Sequence, residues 1–217
     1  MVKWSFSGLK DFVNCPRQYN EVKRLQRYVK KVSQQMLYGT EVHKALEDYV
    51  RDGTELPKFY QKYRPMVDSL ASIAGVKYLE HKMALTFALK PCGFDSEDYW
   101  VRGIVDFMVV NGDGTAFIVD YKTGSAKYPD PKQLKLMALM TFAHFPDVHL
   151  IKAGLLFVAH DVFMPEEYRR EDIKFLWDVF KWDLERLNMA ADTDSWPANP
   201  TPLCRWCPVV TCEFHKE

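Results

Sequence analysis

Tyr99-Trp-Val-Arg-Gly-Ile-Val-Asp106-Phe-Met-Val-Val-Asn111-Gly-Asp-Gly114-Thr-Ala-Phe-Ile-Val-Asp120-Tyr-Lys122 is the stretch that decides the fold. Its two apolar runs, carrying Gly103-Ile-Val-Asp106 and Ile118-Val-Asp120-Tyr-Lys122, flank a turn at Asn111-Gly-Asp-Gly114, the pattern of a β-hairpin. Each run delivers an acid, and the second places a lysine two residues beyond it. Side chains at i and i+2 leave the same face of a strand, so Asp120 and Lys122 address one site. A neighbouring strand that brings Asp106 there builds an acidic pocket beside one ammonium. That combination suits metal-dependent hydrolysis of a phosphodiester.

Outward from the hairpin, the apolar patterning predicts helices over much of residues 5–50, the first starting at Ser5 or Ser7 and a second covering 36–51. A third helix is expected over 58–74 and a strand over 77–89. Pro129 and Pro131 open a helix to about Phe145, 150–159 reads as a buried strand, and 165–190 as a long final helix. The order predicts an α/β fold: helices around a mixed central sheet. One domain is expected, with a helical region at 1–75, a core at 76–190 and a cysteine-bearing tail at 191–217.

At 217 residues and 47% hydrophobic content the chain has ample material for a core. No stretch approaches the roughly 18 apolar residues that span a bilayer, and Met1-Val-Lys-Trp-Ser5 lacks the core of a signal peptide. The expectation is a cytoplasmic protein of a bacterial or phage-infected cell, without membrane partners. A net charge of zero argues against holding nucleic acid by bulk electrostatics alone. Charge is nevertheless uneven: Arg17, Lys23, Arg24, Arg27, Lys30 and Lys31 face one acid, Glu21, across residues 17–31. This run either tracks a phosphate backbone or forms a solvated helix face.

Asp106 and Asp120 are candidate ligands for Mg2+ or Mn2+, which prefer hard oxygen donors. Lys122 is placed to orient a water or stabilise charge on the transition state. Gln133, about one turn inside the following helix, reaches back over the pocket or is an ordinary exposed glutamine. Glu80 is an acid inside a strand, either a further ligand or an edge charge. His43 by itself reads as an ordinary core or surface histidine. Cys204-Arg-Trp-Cys207-Pro-Val-Val-Thr-Cys212 places three thiolates close enough to share a soft metal or cluster. Cys15 is a better fourth partner than Cys92. A [4Fe-4S] cluster, zinc and free thiols remain open, with His215 as a ligand if the metal is zinc.

In order along the chain, these residues resemble the RecB-like branch of the PD-(D/E)XK nucleases. The nearest likeness is to its small iron-sulfur members, related to CRISPR-adaptation exonucleases and helicase-associated recombination nucleases. The family's Ser-x-Leu-x-x-Phe-x-x-Cys-Pro-x-x-Tyr segment is met by Ser7, Leu9, Phe12, Cys15, Pro16 and Tyr19. Its Gly-x-x-x-His helix is met by Gly39 and His43, its Gly-x-x-Asp by Gly103 and Asp106, and its Asp/Glu-x-Lys by Asp120 and Lys122. Its Gln-x-x-x-Tyr helix is met in part, since Gln133 is followed by Met137.

The resemblance implies a restriction-endonuclease-like core in which His43, Asp106 and Asp120 hold Mg2+ or Mn2+ and Cys15, Cys204, Cys207 and Cys212 ligate the [4Fe-4S] cluster. It implies a metal-dependent deoxyribonuclease, an exonuclease acting on single-stranded DNA or DNA ends in recombination, repair or replication. Lys122 and Gln133 would serve the reaction, with room for a helicase or recombination partner and for homo-oligomers. The alternative is a weakly active accessory module that keeps the fold and binds nucleic acid.

Overall fold

A computed structural model describes residues 1–30, 32–127 and 129–215. In chain order its main elements are α1 (Phe6–Asn14), α2 (Pro16–Tyr19), α3 (Gln34–Asp52), α4 (Arg64–Ala71), β1 (Val76–Thr86), β2 (Pro91–Cys92) and β3 (Tyr99–Val110). There follow β4 (Thr115–Lys122), α5 (Lys132–His144), β5 (Leu150–Phe157), β6 (Val162–Arg169) and α6 (Ile173–Thr193). The chain divides into two compact units, one of Ser33–Trp177 and one joining Met1–Val32 to Asp178–Glu217.

The unit of Ser33–Trp177 is built on a mixed six-stranded sheet of order β2-β1-β3-β4-β5-β6. Only β4 and β5 run parallel; the other pairs are antiparallel. A parallel pair needs a crossover, and α5 supplies it. The hairpin read from the sequence is present as β3 and β4, in a register that matches Phe107 with Val119 and Val110 with Ala116. Continuing it one step sets Asp106 beside Asp120.

Alternation sorts the hairpin's side chains between two faces. Phe107, Val109, Val119 and Tyr121 pack with Val42 and Leu46 of α3, Val67 of α4, and Leu56 and Tyr63 between those helices. The opposite face meets α5, whose Thr141 hydroxyl lies 3.6 Å from the Met108 sulfur. α5 is apolar nearly all round, with Leu134 and every residue from Leu136 to Phe142 buried, as suits a helix enclosed on most sides. Gly103 lets it approach: a Cβ there would stand 2.6 Å from Met140 Cε.

One strand and one helix boundary differ from the sequence reading. Pro165-Glu-Glu167 resembles a helix start, proline followed by acids, yet Val162–Arg169 forms β6 and α6 begins only at Ile173. The backbone edge of the buried strand β5 would otherwise lack hydrogen bonds, and pairing with β6 satisfies it. Proline is tolerated there because β6 is itself the sheet edge. The predicted N-terminal helical region also breaks: after a π-turn at Asn20–Arg24 the chain leaves helix at Gln26, with φ 53°, and α3 begins at Gln34.

In the other unit, the Ser5 hydroxyl caps α1 by accepting from Gly8 N at 3.2 Å. Trp196 of the tail packs against Phe12 and Tyr19, with centroids 6.2 and 6.0 Å away. The Arg24 guanidinium lies 4.4 Å from its ring centroid. Asn199 Nδ2 donates to the Asn14 carbonyl at 2.9 Å, and Arg17 N donates to that of Pro197 at 3.2 Å. The tail is thereby tied to the α1–α2 segment.

The hairpin turn also fixes the start of β5. Gly114 sits at φ +82° and its carbonyl accepts from His149 N at 2.9 Å and Leu150 N at 3.3 Å. A Cβ at Gly114 would meet His149 Nδ1 at 2.4 Å and the Asp147 carbonyl at 2.9 Å. Gly114→Ala should therefore cost about 1–3 kcal/mol, or roughly 3–10 °C in Tm. Gly112→Ala, where a Cβ meets nothing within 4 Å, should stay within about 0.5 kcal/mol of wild type. Thermal unfolding of both variants by circular dichroism checks the contrast.

Candidate active site

Asp106 leaves β3 and Asp120 leaves β4 where the two strands stop pairing through their backbones. In place of the next ladder bond, the Tyr121 backbone N–H donates to Asp106 Oδ2 at 2.8 Å. Asp120 is almost fully buried at 1% exposure, which makes its surroundings decisive. Gln133 Nε2 of α5 donates to its Oδ1 at 2.7 Å, and Lys122 Nζ donates to Gln133 Oε1 at 2.8 Å. The ammonium also lies 2.5 Å from Asp120 Oδ2 as an ion pair. Asp120, Lys122 and Gln133 thus close a ring. Gln133 is a member of this ring and not a surface glutamine.

On the other side of Asp106 stand His43 and Glu80. His43 Nδ1 of α3 lies 3.5 Å from Asp106 Oδ2. One donor atom from each of His43, Glu80 and Asp106 lies within 4.8 Å of the others, a spacing that admits a shared cation. Gly39, one turn before His43, would hold a Cβ only 3.1 Å from Thr123 Oγ1, so the glycine lets α3 approach the end of β4.

Glu80 interrupts the β1–β3 ladder. Its neighbours pair as Leu79 with Phe107 and His81 with Val105, while Glu80 adopts φ +47° opposite Asp106. A left-handed non-glycine inside a strand costs on the order of 1–3 kcal/mol and tends to mark functional sites. The sequence showed an acid in a strand but not this kink.

The electrostatics agree with a site built for a cation. Burial, and then the Asp120 charge, pushes the Asp106 carboxyl well above the usual range. Burial likewise raises Asp120, against the pull of Lys122, and raises Glu80, aided by Glu47. Burial lowers the His43 imidazole, leaving it neutral and able to ligate. Hard carboxylate oxygens with one imidazole suit Mn2+ or Mg2+. The donor set fits a divalent metal.

The cysteines form a second cluster, within the unit that joins the chain termini. Cys15, Cys204, Cys207 and Cys212 line one cavity together with His215. Three backbone donors and one side chain aim at their sulfurs. Gln18 N and Asn199 N lie 3.5 Å from Cys15 Sγ, Thr201 N lies 3.3 Å from Cys204 Sγ, and Gln18 Nε2 lies 3.3 Å from Cys207 Sγ. Gln18 and Asn199 were not singled out from sequence, although Gln18 stands one turn after Cys15. His215 Nδ1 is buried without a hydrogen bond, and Cys92 lies apart on β2.

Each described member of the basic run has an acid partner within its own unit. Arg17 pairs with Glu213, Lys23 and Lys30 with Asp11, Arg24 with Asp194, and Arg27 with Glu21. Lys31 lies outside the described residues.

Crowded acids have a consequence for stability. With chelator present, Asp106, Asp120 and Glu80 hold their protons in the native state more firmly than in the unfolded chain, where carboxyls titrate near pH 4. Above that pH the unfolded state sheds those protons first, so stability falls as pH rises through the elevated native values. Asp106→Asn should flatten this fall. At neutral pH it should raise the chelated protein's Tm by about 2–6 °C and abolish any further rise on adding Mn2+. Thermal shift with and without Mn2+ tests both effects.

Among the described residues, no helix is long and apolar enough to cross a membrane. No curated protein matches the chain. Among solved structures, a candidate exonuclease from Eubacterium rectale superposes with a TM-score of 0.55, covering 97% of this chain and 86% of that one at 11% identity. SSO0001 gives 0.45 at 11% identity, covering 99% and 87%. At such identity the first likeness speaks for the fold alone. The sequence profile of the PD-(D/E)XK nuclease superfamily, whose members use divalent metals, matches residues 3–212. With an α/β fold, a mixed six-stranded sheet and this span of match, the chain belongs to the PD-(D/E)XK nuclease superfamily.

Proposed function

We propose that the protein is a metal-dependent DNA nuclease, an exonuclease of the RecB-like iron-sulfur branch that works in recombination, repair or replication. One observation carries the catalytic part: Asp106, Glu80 and His43 converge on one side of a ring in which Lys122 is held between Asp120 and Gln133. His43, Glu80 and Asp106, with Asp120 beside them, would hold the cation. When bound, it would neutralise phosphate charge and lower the pKa of a coordinated water.

The chain's own residues divide the remaining work. Asp120 and Gln133 occupy two donor directions of the Lys122 ammonium, leaving a third for the attacking water or a phosphate oxygen. The fixed positive charge then stabilises the negative charge that grows on the phosphate, without reorganising during the reaction. Gln133 acts by positioning, since its amide holds both acid and lysine. The α1–α2 segment and the tail would be clamped by a metal centre on Cys15, Cys204, Cys207 and Cys212, the four-iron cluster implied by the resemblance. The alternative at these cysteines is a single zinc ion, for which the buried Nδ1 of His215, without a hydrogen bond, is a further candidate ligand.

Wild type should digest end-labelled DNA with Mn2+ or Mg2+ and lose activity with chelator. Lys122→Ala should cut about 10²–10³-fold more slowly while binding DNA as before. Equal activity of the two proteins would remove Lys122 from catalysis, and no cleavage by wild type on any DNA would leave the binding module. Metal analysis and visible absorption of anaerobically purified protein separate iron-sulfur from zinc. Cys15→Ser should lose that metal and unfold at lower temperature.

A further inference from the structure

The segment between α3 and α4, Pro57-Lys-Phe-Tyr-Gln-Lys-Tyr-Arg64, interleaves three aromatics with three basic residues and contains no acid. Residues Lys58–Tyr63 form a short 3-10 helix. Two of its aromatics are fixed in place. Tyr60 stacks on Tyr63 at 6.2 Å with planes 16° apart, meets Tyr38 edge-on at 6.0 Å, and donates from its hydroxyl to Glu41 at 3.2 Å. Tyr63 is buried, and its hydroxyl lies 2.7 Å from that of Tyr38.

Phe59 does the opposite. Its side chain is 85% exposed, more than any other large apolar side chain among the described residues. It borders a groove of 620 Å³ that Thr40, Lys44 and Asp48 of α3 line on the other side. That volume lies within the span of about 300–1,000 Å³ usual for small-ligand sites.

The groove begins beside the candidate active site. Thr40 and His43 are three residues apart on α3, so their Cβ atoms are neighbours at about 5–6 Å. The groove's acids are engaged locally: Glu41 accepts from Tyr60, Asp48 pairs with Lys44, and Glu55 accepts from Gln61 Nε2 at 3.4 Å. Lys44 lines the groove, and Lys58 and Lys62 stand exposed beside its lining on the segment that carries Phe59. An exposed aromatic ring beside a rigid aromatic wall, with lysines within reach, is the arrangement by which proteins hold unpaired bases through stacking while cations follow the phosphates. A duplex keeps its bases stacked on each other and cannot offer them to such a ring.

We propose that this groove is a base-stacking subsite for single-stranded DNA, in which Phe59 stacks on an unpaired base. The proposal rests on the nuclease reading for its choice of nucleic acid, but its binding test needs no catalysis.

Fluorescence anisotropy with a labelled single-stranded oligonucleotide, in chelator so that nothing is cut, measures the subsite directly. Phe59→Ala should weaken binding roughly tenfold, and Phe59→Trp should restore it. An oligonucleotide of abasic sites should bind wild type as weakly as the normal strand binds Phe59→Ala. Blunt duplex should bind wild type and Phe59→Ala alike. Unchanged single-strand affinity in Phe59→Ala, no recovery with tryptophan, equal loss on duplex, or absence of any binding by wild type overturns the subsite. The readings separate cleanly. Phe59-dependent binding without cleavage keeps the subsite and rejects the nuclease, whereas cleavage with Phe59-independent binding does the reverse.

Discussion

Asp106 and Asp120 are held side by side in the middle of a sheet, one largely and one almost wholly withdrawn from water. Carboxylates so placed repel each other and lose hydration, and a fold tolerates this only by compensating each oxygen. The compensation recruits much of the unit. A ladder bond is given up so that the Tyr121 N–H can serve Asp106, and Lys122 and Gln133 are spent on Asp120. Glu80 departs from strand geometry to join them, which adds charge and strain to an already costly place. Structure that sacrifices stability locally in this way is what a cation site requires before the cation arrives.

Why the motifs have their spacing follows from packing. Gly39 precedes His43 by one helical turn, so the same face that presents the imidazole also carries the gap into which Thr123 fits. Gly103 precedes Asp106 by three residues, and its missing side chain admits Met140 of α5. α5 also carries Gln133. Each glycine therefore sets the distance of a helix from the sheet, and each helix brings one side chain to the acids. The chemistry of the motif and the steric allowance for it travel together in the sequence.

The hairpin and its site were legible because period-two alternation, a glycine-rich turn and an i, i+2 acid–lysine pair each constrain the same geometry. β6 was not. Its Pro165-Glu-Glu167 carries a local helix-start signal, and only the unfilled edge of β5, where Gly154 pairs with Pro165, decides otherwise. Glu80 was visible as an acid, but its left-handed backbone depends on what β3 places opposite. The basic run shows the reverse limit. Composition displays its positive charge, whereas the acids that meet it, Asp11, Asp194 and Glu213, are scattered along the chain and come close only on folding.

The two clusters place different demands on their surroundings. The acid site is assembled on strands and long helices, whose backbones cannot shift without disturbing the sheet, and this rigidity preserves the distances that charge stabilisation needs. The cysteines sit on short turns: α2, the Pro202–Trp206 turn and the irregular stretches beside them. These segments expose Leu203 and Trp206 while burying Tyr19 and Val209. Backbone N–H groups already point at Cys15 and Cys204, the arrangement that stabilises negative sulfur. A bound metal would join residue 15 to residues 204–212, adding a clamp to the packing of Trp196 on Phe12 and Tyr19.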